Sequence, residues 1–228
     1  MGRMVRRLAQ LYGGLVLYGV SMAFQIRAGL GLDPWDVLHQ GLATHTGLSF
    51  GTITMLVGAA VLLAWIPLRQ RPGLGTVSNV IVIGLSVDGA LAVLPAAHRW
   101  WAQVGLLASA IVLNGVAGGC YIGARFGPGP RDGLMTGLVR RTRRSVRLVR
   151  TSIEVTVLAT GWLLGGSVGV GTVAYALSIG PLVHLFLPLL TVPETVPDAQ
   201  SSESCSTAGG AAAVNSPRDA LAARSAMP

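Results

Sequence analysis

The chain has 228 residues, of which 51% are hydrophobic and only 11% are charged, and its mean hydropathy is +0.60. This composition excludes an ordinary soluble domain with a charged surface and indicates an all-α integral membrane protein embedded in the lipid bilayer. The formal net charge of +8 comes from 17 arginines with no lysine, and their position between apolar stretches indicates the cytoplasmic side of a membrane, with no role in nucleic-acid binding.

Six apolar stretches approach the length of about 20 residues that a transmembrane helix needs. They predict a polytopic protein of the cell membrane with spans at 9–27, 51–68, 75–95, 101–123, 151–168 and 171–191. With the N-terminus inside, thirteen arginines before the tail fall on the cytoplasmic side and two, Arg27 and Arg99, on the outer side. Because arginine accumulates in cytoplasmic loops, both termini are predicted to be cytoplasmic.

The longest basic run, RRTRRSVRLVR at 140–150, is interpreted as a cytoplasmic linker. Its arginines are expected to contact anionic lipid headgroups through Arg140, Arg141, Arg143 and Arg144. After Pro193 the composition becomes rich in Ser, Ala, Asp and Glu, which predicts a disordered cytoplasmic tail over 194–228.

The sequence contains an internal duplication. Residues 15–84 align with 111–180 at an offset of 96 without a gap, and 23 of the 70 positions are identical. Each copy holds three spans, an odd number, so the second copy must enter the membrane from the opposite side. The chain is therefore predicted to consist of two inverted three-helix repeats, residues 1–96 and 97–193. Since the first span has an internal counterpart, it is predicted to be a retained helix and not a cleaved leader.

Each repeat also holds a short helix that begins after an irregular segment. Asp33 is predicted as the N-cap of a helix that starts at Pro34, and Gly129 occupies the equivalent position before Pro130. The short helices, predicted at 34–46 and 130–139, are too short to cross the bilayer. Each is either a re-entrant half-helix or a helix that lies in the membrane interface.

Two interpretations of the duplicated aspartates stay open. Broken helices at matched positions of inverted repeats are typical of a transporter's binding site. In that interpretation Asp36, with Gln40 one turn later, and Asp132, with Thr136 one turn later, face a central cavity and bind a solute or ion. In the other, each aspartate only complements the dipole of its own helix. Asp88, a charge within the third span, is a further candidate, unless it reaches water at the outer end.

Other polar residues in the spans favour structural roles. Glu154 is placed to pair with Arg150 one turn earlier, and Asn79 and Asn114 are expected to make interhelical hydrogen bonds. His184 is either a packing residue or part of a proton relay.

The sequence lacks HExxH and Walker patterns and has no Rossmann glycine pattern in the context of a strand, and Cys120 and Cys205 have no metal-ligand spacing. It therefore predicts no enzyme, with no catalytic residues, no cofactor and no metal site.

Several segments resemble the YczE/YyaS/YitT-type family of bacterial integral membrane proteins. They are DPWDVLHQGLATHTGLSFGTITMLVG, IPLRQRPGLGTVSNVIVIG, FGPGPRDGLMTGL and SIEVTVLATGWLLGGSVGVGTVAYALSIGPLVH, and the similarity covers residues 8–190. The resemblance implies an inner-membrane protein with suggested links to transport and to secondary-metabolite production. It implies no catalytic residues.

Three functions remain to be compared. The first is a transporter or permease for a small solute, and the second is a non-transporting scaffold for another membrane or biosynthetic complex. The third, an intramembrane hydrolase, would need Asp36 and Asp132 side by side. A polar cavity reached by the N-termini of both short helices would favour the transporter, and a packed, dry centre would favour the scaffold.

Overall fold

The computed structural model describes residues 2–191, and their regular structure is entirely helical. The helices are α1 (Gly2–Ala28), α2 (Pro34–Thr46), α3 (Phe50–Trp65), α4 (Leu74–Val93), α5 (Trp100–Gly123), α6 (Pro130–Thr142), α7 (Val146–Leu163) and α8 (Val170–Leu190). The predicted all-α class is therefore confirmed for this part of the chain. The predicted tail, 194–228, lies outside the described residues, and so does the C-terminus.

Local sequence explains where the short helices begin and end. The Asp33 carboxylate accepts a hydrogen bond from the Asp36 backbone N–H at 2.8 Å, and Pro34 supplies the first helical residue of α2, as predicted. Gly47 ends α2 with a φ of 71°, a conformation that glycine adopts without strain. At α6, Gly129 caps the helix without a side chain, and the helix continues past its predicted end at 139 to Thr142.

Three helices among the described residues, α4, α5 and α8, are long and apolar enough to cross a membrane. A fourth span is formed if α2 and α3, which meet at an angle of 114°, are taken together. The predicted spans at 9–27 and 151–168 overlap with α1 and α7, which carry more polar residues. By length and composition, several of the described helices can thus cross a membrane, while the number six stays a prediction.

The centre of the fold is the pair α1 and α5, which pack along most of their length. The Gln10 side chain on α1 donates to the Cys120 carbonyl on α5 at 3.1 Å. Further along α1, the Ser21 hydroxyl accepts a hydrogen bond from the Asn114 side-chain amide at 3.0 Å. Residue numbers that rise along α1 fall along α5, so the two helices are antiparallel. Gly14 permits the close approach, because a Cβ there would lie 2.8 Å from the Cβ of Cys120.

The helices α6, α7 and α8 begin 96 residues after their counterparts α2, α3 and α4, at Pro34 and Pro130 for the short helices. Equivalent hydrogen bonds connect the halves. The Gly75 N–H at the start of α4 donates to the Phe126 carbonyl at 3.0 Å. The Gly171 N–H at the start of α8 donates to the Leu30 carbonyl at 2.8 Å. Each half therefore fixes the irregular segment that precedes the short helix of the other half.

The short helices pack against the long helices of the opposite half, α2 on α7 and α6 on α3. At equivalent positions the two interfaces exchange large and small residues. In the interface of α3 with α6, the Trp65 side chain packs directly against Gly133. In the interface of α7 with α2, Gly161 takes the position equivalent to Trp65 and packs against the α2 backbone at Val37. Both contacts are so close that a β-carbon on either glycine would overlap its neighbour.

Candidate functional site

The N-termini of α2 and α6 meet beside the central α1–α5 pair. There the Arg131 guanidinium lies between two carboxylates, 3.6 Å from Asp33 and 3.8 Å from Asp36. It also stacks on the indole of Trp35, with its central carbon 4.9 Å from the ring centroid. The first turns of both short helices thus form one charged cluster.

The position of Arg131 requires these partners. A cation in the first turn of a helix opposes the helix dipole, which is positive at that end. The Asp33 and Asp36 side chains are almost fully buried, and buried carboxylates are costly unless a cation compensates them. Arg131 therefore balances the carboxylates of α2, and the carboxylates hold Arg131 at an otherwise unfavourable site.

Asp36 is enclosed on all sides, with none of its surface exposed. One of its oxygens lies 3.1 Å from the His39 Nδ1 atom one turn later, and the other has no hydrogen-bond partner among the described residues. The His39 ring packs edge-on against Phe50, which joins α2 to the start of α3. Asp36 is therefore connected to its surroundings through His39 and Arg131.

Two cavities lie on either side of this cluster. Cavity I, of about 130 Å³, is formed by α1, α2, α3, α4, the end of α5 and the start of α6. Cavity II, of about 340 Å³, is formed by α1, α5, α6, α7, α8 and the start of α2. The residues that line both cavities form a shared wall, and they are Tyr18, Trp35, Tyr121, Arg131 and Asp132.

The two cavities are equivalent under the duplication. Of the 16 residues that line cavity I, 13 have their counterpart, 96 positions away, in the lining of cavity II. Tyr18 corresponds to Asn114 in this way, and Trp35 and Arg131 correspond to each other. An operation that exchanges the two halves therefore exchanges the cavities.

The halves differ in how their long helices close. In the first half α3 packs on α4, and the Asp88 carboxylate on α4 accepts hydrogen bonds from Ser49 and, at 2.7 Å, from the Gly51 N–H. We call this the Asp88 contact. In the second half α7 and α8 hardly touch, and His184, the counterpart of Asp88, lines cavity II. The first half is thus closed at a place where the second half is open.

The predicted site residues do not all come together. Asp132 lines both cavities, whereas Asp36 lines neither and approaches them through Arg131. Gln40 accepts a hydrogen bond from the Ser167 N–H at 2.6 Å and so connects α2 to the segment before α8. The Thr136 hydroxyl donates to the Asp132 carbonyl within α6, at 2.7 Å. Asp88 forms its contact with α3 and is absent from both cavity linings.

Two structural predictions are confirmed. Glu154 pairs with Arg150 at 2.9 Å. Asn114 donates to Ser21 and accepts from the Tyr175 hydroxyl at 3.2 Å, so it connects α1, α5 and α8. Asn79, which was expected to make an interhelical hydrogen bond, lines cavity I, and His184, whose role was left open, lines cavity II.

Arg131 and the aromatic residues around it were not among the predicted site residues. Arg131 was assigned to the cytoplasmic side with the other arginines, although it is the charged residue nearest to Pro130 and aligns with Trp35 across the duplication. A cation at the start of a short membrane helix was the signal that could have identified it.

Comparison with known proteins identifies the family. Residues 5–188 match the model of the family of unknown function DUF6198. The chain belongs to this family. It is 39% identical over 176 residues to an uncharacterized protein of Haemophilus influenzae. The aligned region covers 77% of this chain and 81% of the relative.

Two relatives from Bacillus subtilis support the assignment. The chain is 32% identical to the uncharacterized membrane protein YczE, covering 81% of this chain and 87% of the relative. It is 25% identical to the uncharacterized protein YyaS, covering 78% and 92%. No solved structure matches. The predicted resemblance is thus confirmed, and the DUF6198 protein described here is an integral membrane protein.

Proposed function

We propose that this DUF6198 protein is a transporter for a small solute and that it works by exchanging the conformations of its two halves. The observation that carries the proposal is the equivalence of cavities I and II across the wall formed by the starts of α2 and α6. Transporters built from inverted repeats bind their solutes at broken helices between the halves, and each half opens in turn.

The antiparallel packing of α1 and α5 supports the inverted arrangement. These helices are counterparts in the duplication, so the rotation that superposes one on the other reverses its direction. If α5 crosses the bilayer, as its length and apolarity indicate, that rotation axis lies near the membrane plane. The same rotation exchanges cavity I with cavity II, which would then open toward opposite sides.

The difference between the halves supports a working cycle. In the described conformation the Asp88 contact holds α3 on α4, and α7 lies apart from α8. Exchange of the halves would break the Asp88 contact and bring His184 to the start of α7, near Ser145. Cavity I would then be open and cavity II closed. A non-transporting scaffold has no need for two equivalent cavities at the meeting point of two broken helices.

Paired cysteines test the exchange. In a background with Cys120→Ala and Cys205→Ala, Ser49→Cys with Asp88→Cys is expected to cross-link readily and to preserve the described conformation. The equivalent pair, Ser145→Cys with His184→Cys, is expected to cross-link only in the exchanged conformation. Each lock is combined with a reporter cysteine at Val57, in cavity I, or at its counterpart Ile153, in cavity II.

A membrane-impermeant maleimide then reports which cavity is open. We expect Ile153→Cys to label from one side under the first lock and Val57→Cys to label from the other side under the second. Labelling of both reporters from the same side, or labelling that ignores the locks, would contradict the proposal. Comparison of metabolites in cells with and without the protein then identifies the solute. Its flux into proteoliposomes is expected to stop under either lock and to return on reduction.

A further inference from the structure

The shared wall between the cavities contains one carboxylate, that of Asp132, which has no compensating cation among the described residues. Asp132 lines both cavities and is exposed to them. Its carboxylate accepts a hydrogen bond from the Tyr121 hydroxyl at 3.2 Å. Within the described residues, no arginine or histidine lies within ion-pair distance of it. Its counterpart Asp36, in contrast, is buried between His39 and Arg131.

The nearby positive charges already have partners. Arg131 faces Asp33 and Asp36 with its two terminal nitrogens, and Arg150 in cavity II pairs with Glu154. Arg131 thus already shares its single charge between Asp33 and Asp36, and Asp132 has no ion-pair partner among the described residues. An ionisable side chain that faces a cavity inside a membrane protein usually has a partner, which a bound cation can provide.

The rest of the wall suits an organic cation. Tyr18 and Tyr121 line both cavities together with Asp132, and aromatic rings attract cations through their faces. The volume of cavity I, about 130 Å³, matches roughly four water molecules and so admits a compact ammonium group. The other titratable groups that line the cavities are His39 in cavity I and, in cavity II, Asp33, Arg150, Glu154, Tyr175 and His184.

From this arrangement we propose that Asp132 binds the positively charged group of the transported solute, which is a small organic cation with an ammonium group. That this cation is the transported solute rests on the proposed function, whereas its binding to Asp132 does not. Because Asp132 belongs to both linings, one carboxylate serves the solute from either side of the wall.

Thermal unfolding of the purified full-length protein tests the binding without transport. The probes are the chlorides of tetramethylammonium, ethylammonium and putrescine, compared with sodium chloride and sodium acetate at equal ionic strength. A ligand that binds only the folded state raises its unfolding temperature in a saturable manner. We expect at least one ammonium probe to do so and both sodium salts to fail.

The variants identify the carboxylate. Asp132→Asn is expected to weaken binding of the active probe by at least about tenfold, the equivalent of about 1.4 kcal/mol. Thr136→Ala, one turn from Asp132 on α6 and absent from both cavity linings, is expected to leave binding unchanged. Asp132→Glu retains the charge and is expected to bind with altered affinity, and it replaces Asp132→Asn if that variant does not fold.

Several outcomes would overturn the inference. They are stabilisation by acetate, equal stabilisation by sodium and ammonium ions, equal binding by the wild type and Asp132→Asn, and no response to any probe. Cation binding without any exchange between the cysteine locks would retain the Asp132 site and reject the transporter. Exchange without cation binding would do the reverse.

Discussion

Trp35 and Arg131 occupy equivalent positions of the two halves, 96 residues apart, and they stack on each other with the guanidinium carbon 4.9 Å from the indole centroid. A residue that contacts its own counterpart lies close to the axis that relates the halves. The duplication has thus placed an aromatic ring and a cation, two different side chains, on either side of this axis. Both residues belong to the wall that cavities I and II share.

Removal of the Arg131 charge is expected to destabilise the protein strongly. Arg131→Ala leaves Asp33 and Asp36 buried without a cation, and breaking a buried ion pair in this way costs about 3–5 kcal/mol. Arg131→Lys retains the charge but loses the stacking on Trp35, so an intermediate loss is expected. Thermal unfolding in detergent measures both. The control Arg150→Ala, at an exposed pair, should cost at most about 1 kcal/mol, and a similar loss at both sites would refute the role of Arg131.

Gly133 should not tolerate even one added methyl group. The β-carbon of Gly133→Ala would overlap the Trp65 ring, whose N–H is fixed by a 3.0 Å hydrogen bond to the Pro130 carbonyl. We expect a loss of about 1–3 kcal/mol from this overpacking, measured as a drop in unfolding temperature. The double variant with Trp65→Leu should recover part of the loss.

The matched control for that variant is Gly105→Ala, in the interior of α5. A β-carbon at Gly105 has no neighbour within 4 Å, so alanine should be neutral or slightly stabilising through its higher helix propensity. Equal effects at the two glycines would show that the contact between α6 and Trp65 is wrong.

Loss of the Asp88 contact is expected to open cavity I. Asp88→Ala removes the acceptor for the Ser49 hydroxyl and the Gly51 N–H, which together hold the start of α3 on α4. Each such hydrogen bond to a charged group contributes about 1.5–3 kcal/mol. Labelling of a cysteine at Val57 should therefore rise severalfold, while Glu154→Gln on α7 should leave it at the wild-type level. Unchanged labelling in Asp88→Ala would remove the basis for a closed first half.

The inverted arrangement also predicts the sides on which two loops lie. Single cysteines at His45, at the end of α2, and at Arg143, after α6, are expected to react with an impermeant thiol reagent from opposite faces of the membrane. Intact spheroplasts and inside-out vesicles give the two readings. Labelling of both positions from the same face would eliminate the inverted repeats.

Sequence patterns identified the features that depend on local chemistry and on self-similarity. Asp33 with Pro34 defines the start of α2, because a side-chain acceptor followed by proline matches the geometry of a helix N-terminus. The offset between Pro34 and Pro130 is also the offset between the starts of α3 and α7 and of α4 and α8. Such features require only neighbouring residues or a comparison of the chain with itself.

The site itself could be predicted only in part, because it depends on the positions at which the two halves carry different residues. The duplication gave Asp36 and Asp132 the same expected role, yet Trp35 precedes one and Arg131 precedes the other. Which of the two aspartates pairs with Arg131 follows from how α2 and α6 meet. No local sequence pattern contains that information. For the same reason, the sequence does not predict that Asp88 contacts α3 while its counterpart His184 lines cavity II.

The two duplicated aspartates should therefore respond differently to the same substitution. Asp36→Asn removes a carboxylate that shares the charge of Arg131 and is in contact with His39, so we expect a loss of stability of about 1–3 kcal/mol. Asp132→Asn, exposed to the cavities with Tyr121 as its hydrogen-bond partner, retains an acceptor and should cost less than about 1 kcal/mol. Unfolding temperatures of the two variants, measured without added ammonium ions, compare them directly. If Asp132→Asn were the less stable of the two, the pairing of Arg131 with Asp36 would have to be abandoned. If both were neutral, each aspartate would only complement its own helix dipole, and the charged wall between the cavities would lose its physical basis.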